Sequence, residues 1–121
     1  ALHLFVYNLN IIPVPRIIRY NQQTKILTLD DVGNDNISNN YGETANCVPE
    51  YIFDKIRYNI LQLYQNGILY PDITGYNFIE HKNNGKVYTL DFEHASYMSN
   101  DDNTFVEQFL DGLNEWNPEF K

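Results

Sequence analysis

The chain has 121 residues, 43% of them hydrophobic, which suits one domain with a modest core. Sixteen acidic against eight basic residues give a net charge of −8, a balance that repels phosphate backbones and argues against nucleic-acid binding. A single cysteine, Cys47, allows no internal disulfide, no Cys/His set has zinc-site spacing and no apolar run reaches membrane-span length, so an intracellular, cytoplasmic protein without membrane attachment is expected.

In chain order, ALHLFVYNL places Leu2, Val6 and Leu9 on one helical face and lacks the basic flank and cleavage site of a signal peptide. A start at Ala1 rather than Met suits a piece processed or excised from something longer. Pro13 and Pro15 end the helix. PRIIRY and KILTLDD, separated by NQQT, predict a hairpin over residues 12–33. NDNISNNYGETAN, residues 34–46, is rich in turn formers and reads as a loop. A helix is predicted over 48–67, with Pro49 in its first turn, Ile52, Ile56, Ile60 and Leu63 on one face and Gly67 past its end. NFIEHK and KVYTLDF around Asn84-Gly85 predict a second hairpin with a tight two-residue turn. Phe105, Phe109 and Leu113 share a helical face, and Asp101, Asp102 and Asn103 are capping candidates, so a helix over 101–116 closes the single 1–121 domain. Helix, hairpin, helix, hairpin, helix is an α+β order.

The chemistry concentrates in LYPDITGYNFIEHKNNGKVYTLDFEHAS, residues 69–96. Asp72 follows directly on the helix exit, in a loop held by packed structure on both sides, where a carboxylate can orient a substrate hydroxyl. Asn77 opens the second hairpin and Asp91 lies at its far end. A hairpin returns its ends to one neighbourhood, so the Asn77 amide oxygen and the Asp91 carboxylate can converge. Hard oxygen ligands completed by phosphate and water suit Mg²⁺, and this residue set suits phosphoryl transfer. The other polar positions read as structure: His81 as a hairpin-surface residue, His94 as loop packing, Asp30-Asp31 as a solvated strand end, and Cys47 as a thiol without a base.

An Asp, four residues, an Asn, a hairpin and an Asp-Phe pair resemble the catalytic and magnesium-binding loops of the protein-kinase-like superfamily, including its aminoglycoside-phosphotransferase branch. The resemblance spans roughly residues 12 to 97. It implies a partial kinase-like fold, mainly the helical C-terminal lobe with a hinge hairpin and a catalytic and metal-loop hairpin. It further implies Asp72 as the catalytic residue and Asn77 and Asp91 as magnesium ligands, with ATP and Mg²⁺ as cofactors. ILTLDDVG resembles the strand and hinge that meet adenine, which implies Leu29 before the hinge, Asp30 and Val32 as backbone partners of the base, and Ile79 as an apolar floor beneath it.

Departures from the family pattern narrow what the resemblance implies. Tyr70-Pro71 stands in place of His-Arg, so no arginine is offered to an activation-loop phosphate. Glu93 replaces the Gly of Asp-Phe-Gly and Thr74 the Lys of protein kinases, which points to a small hydroxylated acceptor rather than a protein. Neither a Gly-rich phosphate loop nor a Val-Ala-Ile-Lys-like strand is present, so most of the N-terminal lobe is missing from these residues. Two functions follow. One is an ATP-Mg²⁺ phosphotransferase whose missing lobe comes from upstream residues or a partner chain. The other is a catalytically inactive pseudokinase-type module that binds or regulates a partner protein.

Overall fold

The computed structural model describes residues 2–29, 31–33, 35–97 and 104–120. Among these, four α-helices form: α1 (Leu2–Leu9), α2 (Ile37–Tyr41), α3 (Glu50–Gln65) and α4 (Thr104–Leu110). The strands are β1 (Ile17–Asn21), β2 (Ile26–Leu29), β3 (Ile68–Leu69), β4 (Phe78–Glu80), β5 (Val87–Thr89) and β6 (Ser96–Tyr97). They pair antiparallel as β1 with β2, β3 with β6 and β4 with β5. The architecture is α+β, and among the described residues no helix is long and apolar enough to cross a membrane.

The centre of the molecule is α3. Ile52, Phe53, Ile56, Asn59, Ile60 and Leu63 recur at three- and four-residue spacing, and all are buried. Pro49 is the N-cap, one position before the expected first turn, and Glu50 places a negative charge at the positive end of the helix. Beyond the C-terminus Gly67 takes φ +80°; a Cβ there would meet no atom within 4 Å, so glycine is required for its backbone conformation rather than for space.

β3 follows at once and pairs with β6, Ile68 opposite Tyr97 and Leu69 opposite Ser96. This pairing, which the sequence pattern does not announce, ties together the two ends of residues 69–96. In the second hairpin Phe78 faces Thr89 and Glu80 faces Val87. Its turn is wider than the predicted two-residue one. His81 N–H donates to Lys86 O, Gly85 N–H to His81 O, and of the Asn84-Gly85 pair Gly85 alone has a positive φ, at 71°. A tight turn of the predicted kind needs positive φ at both positions.

Two other elements differ from expectation. Part of the predicted 34–46 loop is α2, started by Asn36, whose Oδ1 accepts from Asn39 N–H, followed by a 3-10 turn at Ala45–Cys47. The closing helix stops at Leu110 instead of running to 116, with Gly112 at φ 119° just beyond, and the proposed caps at 101–103 lie outside the described residues. The chain then folds back. Arg57 on α3 holds the return, donating to Phe109 O, Leu113 O and Asn114 Oδ1, and Trp116 packs against Phe53 with ring centroids 4.9 Å apart. Leu113, expected on the helix face, is exposed.

Candidate functional site

Asp72 is fixed through its backbone and its side chain. Tyr70, fully buried two residues earlier, donates its hydroxyl to Leu90 O and sets its ring edge-on to Phe92, with centroids 5.3 Å apart. Asn117, from the segment that folds back after α4, donates from Nδ2 to Pro71 O at 2.8 Å and from its backbone to Ile73 O at 2.8 Å. The Asp72 carbonyl accepts from Thr74 N–H at 3.1 Å. Its carboxylate is 10% exposed and has one hydrogen-bond partner among the described residues, His94 Nδ1 at 3.2 Å from Oδ2. Oδ1 is left free.

Asn77 is held by both its amides. Nδ2 donates to Asp72 O at 2.9 Å, and the backbone carbonyl accepts from Leu90 N–H at 2.8 Å, which extends the β4–β5 ladder by one rung. The side-chain carbonyl Oδ1 has no hydrogen-bond partner among the described residues. Leu90, opposite Asn77, precedes Asp91, so the two predicted metal positions are neighbours along the backbone at the open end of the hairpin. Asp91 adopts φ 52°, a left-handed conformation that Asp tolerates better than most residues, and its Oδ1 accepts from Glu93 N–H at 3.2 Å. Burial first, and then the negative charges of Asp72 and Asp91, push the Tyr70 hydroxyl well above the ordinary tyrosine range. One buried hydroxyl thus senses both carboxylates.

The predicted base-binding residues behave differently from one another. Val32 and Ile79 line one cleft of about 340 Å³, and a Cβ built at the neighbouring Gly33 would lie 3.5 Å from Ile79 Cγ2. Leu29 pairs with Ile17 at the end of β2 and does not line this cleft. Asp30 lies outside the described residues. The cleft rim carries Asp31, Asp35 and Glu80 against Lys82, so its charge does not draw phosphate. Asn77 and Ile79, two apart along the extended β4 ladder, belong to the same face by strand alternation.

Three residues of the site were not singled out for it by sequence reasoning. His94, read as loop packing, does pack on Phe120 at 5.0 Å between ring centroids, and it also pairs with Asp72. Asn117 and His3 have no local motif. His3 is buried, bonded through Nε2 to Pro15 O at 3.0 Å and edge-on to Phe92 at 5.4 Å. The signal that could have found Asn117 is weak: an Asn-Pro pair after a lone Trp116, directly beyond the predicted helix. Among the described residues no three His, Cys, Asp or Glu side chains gather as a metal cage. The chain matches no protein-family model and no curated protein.

The oxygens left over by these bonds define what the site can do. Asn77 Oδ1 and one oxygen of Asp91 are hard donors with no protein hydrogen-bond partner among the described residues. Hard oxygen donors are the ligand type that Mg²⁺ takes together with phosphate and water. Asp72 Oδ1 is a carboxylate oxygen on a braced loop, suited to receiving a hydroxyl proton.

Proposed function

We propose that this chain is the helical-lobe portion of a kinase-like ATP-dependent phosphotransferase acting on a small hydroxylated acceptor. The observation that carries the reading is the double attachment of Asn77, by Nδ2 to the Asp72 carbonyl and by its backbone to Leu90, which binds the acceptor-facing loop and the metal-facing loop into one network. In this reading Asp72 Oδ1 receives the acceptor proton while the acceptor oxygen bonds the γ-phosphorus and the bond to the bridging oxygen breaks. Asn77 and Asp91 would hold Mg²⁺, whose charge, when bound, offsets that of the phosphates. In this reading Val32 and Ile79 are the apolar contacts of the base in a cleft otherwise lined by polar residues.

The test is ATP turnover and nucleotide affinity in the intact protein that carries this chain. Asp72→Ala is expected to cut turnover by about 10²–10⁴ with little change in nucleotide affinity, because the carboxylate faces the acceptor. Asp91→Ala is expected to lower Mg-nucleotide affinity as well, because it removes a charged ligand. A wild type that binds nucleotide without turnover supports the pseudokinase-type module instead. An active wild type whose Asp72→Ala variant keeps full turnover overturns the catalytic assignment.

A further inference from the structure

We propose that His94 is a positioning residue for Asp72: seated on the Phe120 ring, its imidazole holds the carboxylate by Oδ2, so that Oδ1 alone is presented to the phosphate acceptor. The inference rests on the phosphotransferase reading and adds to it a residue outside the Asp-Asn-Asp set. An ionised carboxylate only accepts hydrogen bonds, so the proton between Asp72 Oδ2 and His94 Nδ1, 3.2 Å apart, resides on Nδ1. His94 is half exposed at 49% against 10% for Asp72, so the pair spans from the buried loop to the surface.

The imidazole is held from its other side. The Phe120 ring lies 5.0 Å away at 57°, Phe120 N–H donates to Asn117 O at 3.2 Å, and Asn117 donates to the carbonyls of Pro71 and Ile73 on either side of Asp72. Asp72, His94, Phe120 and Asn117 therefore close a ring of contacts around the carboxylate. The torsion that swings a carboxylate about its own axis is broad, and the loop backbone does not restrain it. His94 supplies that restraint. Without it Oδ2 has no partner among the described residues, and either oxygen can drift from the acceptor.

Two variants separate the hydrogen bond from the ring packing. His94→Phe keeps an aromatic ring on Phe120 and removes the donor; His94→Asn removes the ring and keeps a donor near the Nδ1 position. With ATP-Mg²⁺ and the intact protein, His94→Phe is expected to lower kcat by about 10- to 100-fold at unchanged nucleotide KM, the scale that misplacing a reacting group costs. His94→Asn is expected to recover most of that loss. Independently of activity, ¹H–¹⁵N spectra of the imidazole nitrogens of this chain should report the Nδ1–H tautomer in the wild type and its loss in Asp72→Ala.

Equal kcat in wild type and His94→Phe overturns the positioning role and leaves the phosphotransferase reading standing. So does a His94→Phe variant whose nucleotide KM worsens as much as its kcat, since that is a structural defect. An Nε2–H tautomer common to wild type and Asp72→Ala overturns the pairing itself. A wild type without turnover that still shows the Nδ1–H tautomer overturns the phosphotransferase reading and, with it, the role assigned to the pair.

Discussion

In the first hairpin Ile18, Ile26 and Leu29 are 55%, 59% and 37% exposed, whereas in the second Phe78, Ile79, Val87 and Thr89 are all buried. Both are short antiparallel ladders of β-branched and aromatic residues, so β-propensity does not separate them. Their supports differ. The second hairpin lies on α3, where buried Asn59 donates from Nδ2 to Val87 O and to Thr89 Oγ1, and Thr89 N–H donates across to Pro13 O. The first is held by its own ladder and by its turn, where Asn21 Oδ1 accepts from Gln23 and Thr24 N–H. Asn77 and Asp91 flank the hairpin that packing fixes on several sides. Leu29 belongs to the one that packing leaves open.

The sharpest way to break this contrast is to remove a core side chain from the supported hairpin. Phe78 is fully buried and packs on Tyr70 at 6.0 Å between centroids. Phe78→Ala is expected to destabilise by about 3–5 kcal/mol, read as a lower urea midpoint. A loss under about 1 kcal/mol would show that the hairpin packs no better than its exposed counterpart. Next in size, Asn59→Ala leaves Val87 O and Thr89 Oγ1 buried without that donor, and about 1–3 kcal/mol is expected in the same measurement.

The same packing explains what the sequence could and could not announce. α3 was readable because its isoleucines keep one period and one partner, the core. The end of α4 was not, because Phe105, Phe109 and Leu113 keep helical spacing across Gly112, and the contacts that hold the returning chain, of Arg57, Phe53 and the 71–73 loop, lie far away in sequence. α2 was hidden by its asparagines, which favour turns until one of them caps a helix. That the backbone returns at Leu90 to Asn77 followed from hairpin closure alone. His94 and Asn117 could not be seen in the same way, since their partners lie 22 and 46 residues away on other loops. The resemblance that named Asp72 gives no reason to look for either.

A third probe, silent at neutral pH, uses Tyr70, which stands behind the supported hairpin. Burial raises its hydroxyl well above the ordinary tyrosine value, so the folded chain keeps a proton that the unfolded chain gives up near pH 10. Stability from this group is therefore complete below about pH 10 and is lost as pH climbs toward the folded-state value. Tyr41, raised chiefly by its hydrogen bond to Glu80 and then by Tyr51, acts in the same direction. Melting temperature should fall as pH rises above about 10, and Tyr70→Phe should flatten that fall while lowering the neutral-pH value through loss of the bond to Leu90 O. An identical slope in the variant would mean that Tyr70 is reached by solvent.

The smallest expected effect belongs to the first hairpin and completes the comparison. Ile26→Thr keeps a β-branched side chain, so the strand's conformational preference is retained while apolar surface is removed from an exposed position. In a chain with nothing covering that face the change should stay within about 0.5 kcal/mol by urea denaturation. Ile18→Thr, on the neighbouring strand, should behave alike. A loss above about 1 kcal/mol for either would mean that the face is covered in solution. Repeating the melt over a range of protein concentration then identifies the cover, because a second copy of the chain makes the melting temperature rise with concentration and an intramolecular segment does not.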